Sequence, residues 1–400
     1  MKRIPLTLLL AALPAFSHAI DLDDAGTFTV TGFYNLTGGY VVSGNSPVTT
    51  SPWTYVQPFA SASTSAWKCP CTIQNWEYAG VYQNGKGLQF NQETLGGVQF
   101  KKDFTPEFSA TLQLVSRATN PNAGSRPTVD WAYVTLTPSH DSAWTFQAGK
   151  FRIPLYYYSD YLYIGYAYQW VRPAPDVYGW PIYSYDGVNV GYKSQLGPSN
   201  WSLTSQMWYG NYTQDSDAYD SQIYYGVPTN ESWKKIWGAY ASVNNGTVDV
   251  RAMVMKYRDD IWQDNPGGPP TTLTGSPSEF TRIEGLAANL DYKNFIVRSE
   301  IDRYQQIDLP NGVDNVYKYM LIGAGYTFFG KLTPMYTFSR YRTVAEPIEG
   351  RNTQNLSVRW DFMKNTALKV QYDVSRDASQ YATPFFGDSK LLSISLQGVF

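Results

Sequence analysis

Apolar and polar residues alternate with a period of two along most of this chain, and the pattern runs on to its last residues. From Asn355 to Phe362, Leu356, Val358, Trp360 and Phe362 fall on one side, and Asn355, Ser357, Arg359 and Asp361 on the other. Lys364-Asn365 interrupts the pattern as a turn would. Leu368, Val370, Tyr372 and Val374 then alternate with Lys369, Gln371, Asp373 and Ser375, and later Leu392, Ile394 and Leu396 with Ser393, Ser395 and Gln397. Strands produce this period because successive side chains leave opposite faces. Earlier segments repeat it. Phe108, Ala110, Leu112 and Leu114 oppose Ser109, Thr111, Gln113 and Arg117; Trp144, Phe146 and Ala148 oppose Thr145 and Gln147. Val248, Val250, Ala252 and Val254 oppose Asp249 and Arg251, while Phe295, Val297 and Ile301 oppose Arg298, Glu300 and Asp302. Between Thr281 and Tyr292 the parity changes near Gly285, which predicts a bulge.

The gaps between strands alternate too. Short turns are expected at Asp103–Glu107, Pro138–Ser142, Leu196–Ser199, Asn244–Gly246, Tyr292–Asn294, Phe329–Lys331 and Lys364–Thr366. Long connections lie between them, at Val42–Lys86, Asn120–Pro127, Arg152–Ile182, Gly210–Glu231, Asp259–Ser278, Gln306–Asp314, Ala345–Gly350 and Asp377–Asp388. Together they join about sixteen strands, an even number, with the short–long rhythm of a transmembrane barrel. The expected fold is all-β: an antiparallel transmembrane barrel, closed because hydrocarbon tolerates no open sheet edge. A soluble β-sandwich would bury one apolar face and would not need this rhythm.

Composition fits that reading. Charged residues make up 16% of the chain, below the ~25% usual for soluble domains. Aromatic residues are also 16%, with 33 Tyr and 13 Trp, types suited to the membrane–water boundary. No apolar run after the N-terminus is long enough for a spanning helix, yet a barrel needs none, since only alternate residues face lipid. Met1-Lys2-Arg3, the apolar run Ile4 to Phe16 and Ser17-His18-Ala19 follow the three-part pattern of a secretory leader. Residues 1–19 are therefore expected to be removed, leaving 20–400 as a single barrel domain. Without the leader the chain has 29 basic and 33 acidic residues, a net charge of −4. That balance argues against a nucleic-acid partner.

The sequence resembles the outer-membrane porins of Gram-negative bacteria, of the sixteen-stranded general-diffusion type. Three features carry the resemblance: Leu392, Ile394 and Leu396 leading to Phe400; Gly149-Lys150-Phe151-Arg152 running from a strand into a long loop; and the strand count. Gly398 departs from the ending, where the family has an apolar residue. The resemblance implies a homotrimer surrounded by lipid and lipopolysaccharide. It also implies recognition of Phe400 by the barrel-assembly machinery, and a third outer loop folded into the pore.

That loop, Arg152 to Ile182, contains Tyr156-Tyr157-Tyr158, Asp160, Tyr161, Tyr163, Tyr166, Tyr168, Trp170, Arg172, Asp176, Tyr178 and Trp180. Asp160, Arg172, Asp176, Lys150 and Arg152 are the expected constriction residues. Arg117, Arg251, Arg298, Glu300, Arg359 and Asp361 are the expected pore wall, each on the polar parity of its strand. Acids facing bases across a pore would set a transverse field and an ion preference; the alternative is that these charges pair and hold the loop down. The loop's rings would either stack on passing sugars or simply pack.

Other candidate chemistry is weak. Cys69-Pro70-Cys71 offers two soft ligands where zinc takes four, so no metal or cofactor is expected; a local disulfide is the other reading. His140-Asp141-Ser142 is adjacent in sequence, which is not triad geometry, so no enzyme activity is expected. The expected function is passive diffusion of small hydrophilic solutes and ions. A substrate-specific channel, for sugars or small organic anions, is the competing reading.

Overall fold

A computed structural model describes residues 20–44, 71–75, 80–83, 85–118, 126–139, 142–178, 184–198, 200–216, 228–264, 268–274, 280–307, 314–346, 348–380 and 387–400. The leader, Cys69, His140, Asp141 and Trp180 lie outside them.

Sixteen long strands form the wall. They are β1 (Phe28–Gly44), β2 (Leu95–Asp103), β3 (Phe108–Arg117), β4 (Thr128–Leu136), β5 (Trp144–Arg152), β6 (Ser184–Gln195), β7 (Ser202–Gln214) and β8 (Asn230–Asn244). Then follow β9 (Val248–Gln263), β10 (Phe280–Tyr292), β11 (Phe295–Ile307), β12 (Asn315–Tyr326), β13 (Leu332–Thr343), β14 (Gly350–Met363), β15 (Thr366–Asp377) and β16 (Ser389–Val399). Each strand pairs antiparallel with the next. β1 pairs with both β2 and β16, so the sheet closes. Ile20–Asp21 adds two residues beside β1, Thr271–Thr274 adds four beside β9, and Cys71–Asn75 forms a separate ribbon with Gly80–Gln83.

Closure is finished by Phe400. Its backbone exchanges two hydrogen bonds with Gly32, at 2.8 and 2.9 Å. Its ring occupies the place where a side chain at position 32 would begin, 2.2 Å from an ideal Cβ. Only glycine admits that close approach.

Alternation sorts the two faces. Leu356, Trp360, Val370, Leu392 and Ile394 are exposed on the outside, as a lipid-facing band requires. Aromatic residues gather where the strands meet the short turns: the ring centroids of Trp144 and Tyr192 are 4.7 Å apart, those of Phe295 and Tyr326 4.9 Å, and those of Trp360 and Phe362 5.4 Å. This is the girdle of a membrane interface.

Two expectations need correction. No bulge interrupts β10, which pairs without a register shift with β9 and with β11. Ile283 points inward to an apolar cluster, while Arg282 and Glu284 point outward and pair with each other, so the polar residues there are outside. The inner face is also not uniformly polar. On β13–β16 and β1 it carries Thr337, Ser357, Gln371, Ser393 and Thr37. On β7–β13 it carries Trp208, Trp233, Met255, Tyr257, Ile283 and Tyr319, an inner cluster that includes the aromatic loop described below.

Candidate functional site: the loop inside the barrel

The chain leaves β5 at Arg152 and turns into the lumen. Ile153, Leu155, Tyr156, Trp170 and Val177 are almost wholly buried there. Two single turns of 3-10 helix, Ser159–Tyr161 and Gly165–Ala167, and the short helix Pro175–Tyr178 shape the loop. Tyr158 makes edge-to-face contacts with Tyr161, Tyr168 and Trp170, so the rings pack together. A free aromatic strip for stacking sugars is not what these rings form.

Wall side chains hold the loop by its backbone. The Lys369 ammonium donates to the carbonyls of Gly165, Tyr168 and Trp170 at 2.7, 2.5 and 2.9 Å. Three donors meet three acceptors, which satisfies a fully buried charge. Arg359 donates to the carbonyls of Tyr166 and Tyr168, and pairs with Asp361 at 2.8 Å. Gln371 accepts from the amides of Val171 and Arg172, while Gln397 donates to the Val171 carbonyl. Opposite, Glu300 accepts from the Tyr157 amide at 2.7 Å and from the Tyr178 hydroxyl.

The expected constriction residues fall into three groups. Arg172 is buried, donating through Nε to both Glu93 oxygens at 2.6 and 2.7 Å, and pairing with Asp373 at 3.1 Å. Burial works against its charge, but Glu93, Tyr82 and Asp373 outweigh it and hold the guanidinium protonated. Asp176 is 0% exposed between Arg351 at 2.5 Å and the Ser339 hydroxyl at 2.6 Å. Arg152 is also buried, 3.2 Å from Asp130 and with its guanidinium 3.9 Å from the centre of the Tyr163 ring. These three anchor the loop.

Asp160 differs. Its side chain is 33% exposed, and Arg251 lies 3.6 Å away. Burial among its neighbours raises its carboxyl above the ordinary value, while Arg251 pulls it down. Arg251 also donates to the carbonyls of Pro154 and Tyr157, and its guanidinium lies 3.7 Å from the centre of the Tyr240 ring. Beside Asp160 a hollow of ≈ 160 Å³ opens against Tyr133, Gln147, Asn189 and Gln206 on β4–β7.

Lys150 belongs elsewhere. It shares the outward parity of Trp144, Phe146 and Ala148, and pairs across to Asp186 at 3.6 Å. Its position next to the loop is one of sequence only. Arg117 points inward and touches the Tyr163 hydroxyl. Arg298 points inward but folds back to the short-turn end, bonding Asp291 at 2.7 Å. Glu93, Asp130 and Arg351 were not expected at the site. Arg351 continues the parity of Arg359 and was within reach of the alternation; Glu93 and Asp130 carry no such signal.

A closed antiparallel barrel with an apolar outer band and an internal loop defines an outer-membrane channel protein. The family model described as Gram-negative porin matches residues 6–379, and the chain belongs to that family. No curated protein matches its sequence. Solved structures match by fold. OmpT of Vibrio cholerae is 9% identical with a TM-score of 0.56, covering 96% of this chain and 100% of its own. OmpF of Salmonella typhi, in a complex with daunomycin, is 11% identical with a TM-score of 0.55, covering 96% and 100%. The anion-selective porin from Comamonas acidovorans is 11% identical with a TM-score of 0.53, covering 93% and 99%. This chain is therefore an outer-membrane porin, a non-enzymatic channel for passive diffusion.

Proposed function

We propose that small hydrophilic solutes and ions cross through an eyelet set to one side of the lumen, between Asp160 and the wall of β4–β7. The observation that carries this reading is the asymmetry of the loop. Most of its bonds to the wall go to β11 and β13–β16, while beside Asp160 a hollow opens against amides and aromatic rings of β4–β7. Of the constriction charges on the loop, Asp160 alone keeps substantial exposure, and Arg251 balances it. An eyelet of amides, one phenol and one opposed charge pair favours water and polar solutes over apolar ones, with weak ion preference. Arg152, Arg172 and Asp176 act as anchors of the loop, and Arg359 and Glu300 hold it from the wall at Tyr166, Tyr168, Tyr157 and Tyr178. Arg117, Arg298 and Asp361 contribute to the field of the wall.

The same reading has residues 1–19 as a cleaved leader and 20–400 as the mature barrel. It has a homotrimer in lipid and lipopolysaccharide, with Phe400 presented to the assembly machinery. A trimer form is described for in-vitro folded OmpT of Vibrio cholerae. The test is single-channel recording in planar bilayers with a salt gradient. Asp160→Asn should move the reversal potential toward anions without abolishing conductance. An unchanged potential would remove Asp160 from the eyelet. Block by one sugar at low concentration would replace general diffusion with a substrate-specific channel.

A further inference from the structure

The hollow beside Asp160 has aromatic rings of its own, and they come from the wall instead of the loop. Trp131 and Tyr133 are inward neighbours on β4 with ring centroids 6.3 Å apart, and Phe151 on β5 stacks on Tyr133 at 4.9 Å. Phe151 is buried, whereas Trp131 and Tyr133 are half-buried, so these two are the rings a solute can reach. Gly149 and Gly187 stand directly opposite each other, one inward position beyond Gln147 and Asn189. No side chain therefore fills the wall between those amides and Phe151. The hollow of ≈ 160 Å³ has room for about five waters, which suits one small ring and not a longer chain.

The polar groups that line it have bonding capacity to spare. The Gln147 amide nitrogen donates to the Thr135 hydroxyl at 3.2 Å, which leaves its oxygen. The Asn189 oxygen accepts from the Tyr185 hydroxyl, which leaves its amide nitrogen. Gln206 bonds to no protein group among the described residues. One acceptor, one donor and a complete amide thus meet at the hollow. Free charge is scarce there. The Arg152 guanidinium is 1% exposed and pairs with Asp130 at 3.2 Å. Asp160 is the charge a solute meets, with Arg251 3.6 Å away.

From these observations we infer that the hollow is a weak subsite for an uncharged saccharide, one ring packed against Trp131 while its hydroxyls bond Gln147, Asn189, Gln206 and Asp160. Side-chain amides both donate and accept, as hydroxyls do, and a carboxylate accepts from more than one hydroxyl at once. The C–H faces of a sugar ring pack on the electron-rich face of an indole. An anion meets the Asp160 carboxylate instead, with no free cation at the hollow to offset it. Hydroxyls that replace water on amides exchange one set of hydrogen bonds for another, so the gain is small and the stay is brief. The path remains open to other solutes. The inference rests on the diffusion path proposed above and names a class of solute that path favours.

The experiment titrates maltose against single channels of the full-length protein in planar bilayers, with polyethylene glycol of equal mass as the control. Maltose should produce brief, saturable interruptions of the current, half-complete in the millimolar range. The polymer should lower conductance only in proportion to its concentration. Trp131→Ala should raise the half-block concentration about tenfold, Trp131→Phe should restore most of the block, and Gln206→Ala should raise it about threefold. Identical behaviour of maltose and polymer would overturn the subsite, and so would block that Trp131→Ala and Gln206→Ala leave intact. Block by tetramethylammonium in place of maltose would make the hollow a cation site and overturn it equally. Should Trp131→Ala not fold, Gln206→Ala and the polymer control still decide. Maltose block at micromolar concentration would uphold the subsite and replace general diffusion. A silent channel would sink the diffusion path, and calorimetry on the same detergent-solubilised protein then decides: maltose heat that Gln206→Ala diminishes upholds the subsite, and no heat overturns it.

Discussion

Arg172 shows what the buried charges accomplish. It joins the loop to Glu93 and to Asp373 on β15, and donates to the Ser393 hydroxyl on β16 at 2.7 Å. Arg172→Ala leaves two carboxylates buried without their partner, a loss of about 3–5 kcal/mol. The expected result is loss of the compact electrophoretic form at lower temperature, with larger and noisier conductance steps as the loop loosens. Asp160 behaves differently because water reaches it. Its carboxyl titrates above the ordinary range, because burial raises it more than Arg251 lowers it, so it loses its charge on acidification before a free carboxylate would. Cation preference should therefore decline on acidification at a pH above that of a free carboxylate, and Asp160→Asn should remove this inflection from reversal potentials measured across pH. Part of this site was legible in the sequence: parity placed Arg251, Glu300 and Arg359 on the inner face. Which charge stays exposed was not legible, since that depends on loop packing that no period encodes. Lys150 misled for a related reason, because motif proximity overrode its outward parity.

At the level of strands, the alternation of β14–β16 specifies both faces without help from the rest of the chain. The seven short turns and eight long loops likewise follow from the sequence rhythm. What escaped was the β10 register, where outward Arg282 and Glu284 imitate a parity change, and the inward rings of β7–β12, which pack against the loop. Gly149 gives a direct test of strand geometry. Its φ is +141°, and an ideal Cβ there would lie 2.2 Å from the Ala132 carbonyl oxygen on β4. That neighbour is backbone and cannot swing aside. Gly149→Val should therefore prevent β4 and β5 from pairing at the loop's root, and refolding into detergent should yield no heat-modifiable band. A normal yield would mean that the strands can separate locally at no cost.

For the whole molecule, the barrel and its internal loop divide the work. The wall supplies an apolar exterior and a closed hydrogen-bond ring, while the loop decides how much of the enclosed space conducts. The loop's anchors also impose an order on assembly. Asn35 on β1, Glu300 on β11, Thr337 on β13, Gln371 on β15 and Gln397 on β16 all bond to it, and the Gln397 bond joins positions 226 apart in sequence. Contacts this distant form late, because the intervening chain must first be brought together. The loop's full set of bonds is complete only once the final strand has arrived. A nascent barrel thus passes through a stage that is wide and unguarded, and the narrowing that defines the mature channel is the last thing it acquires.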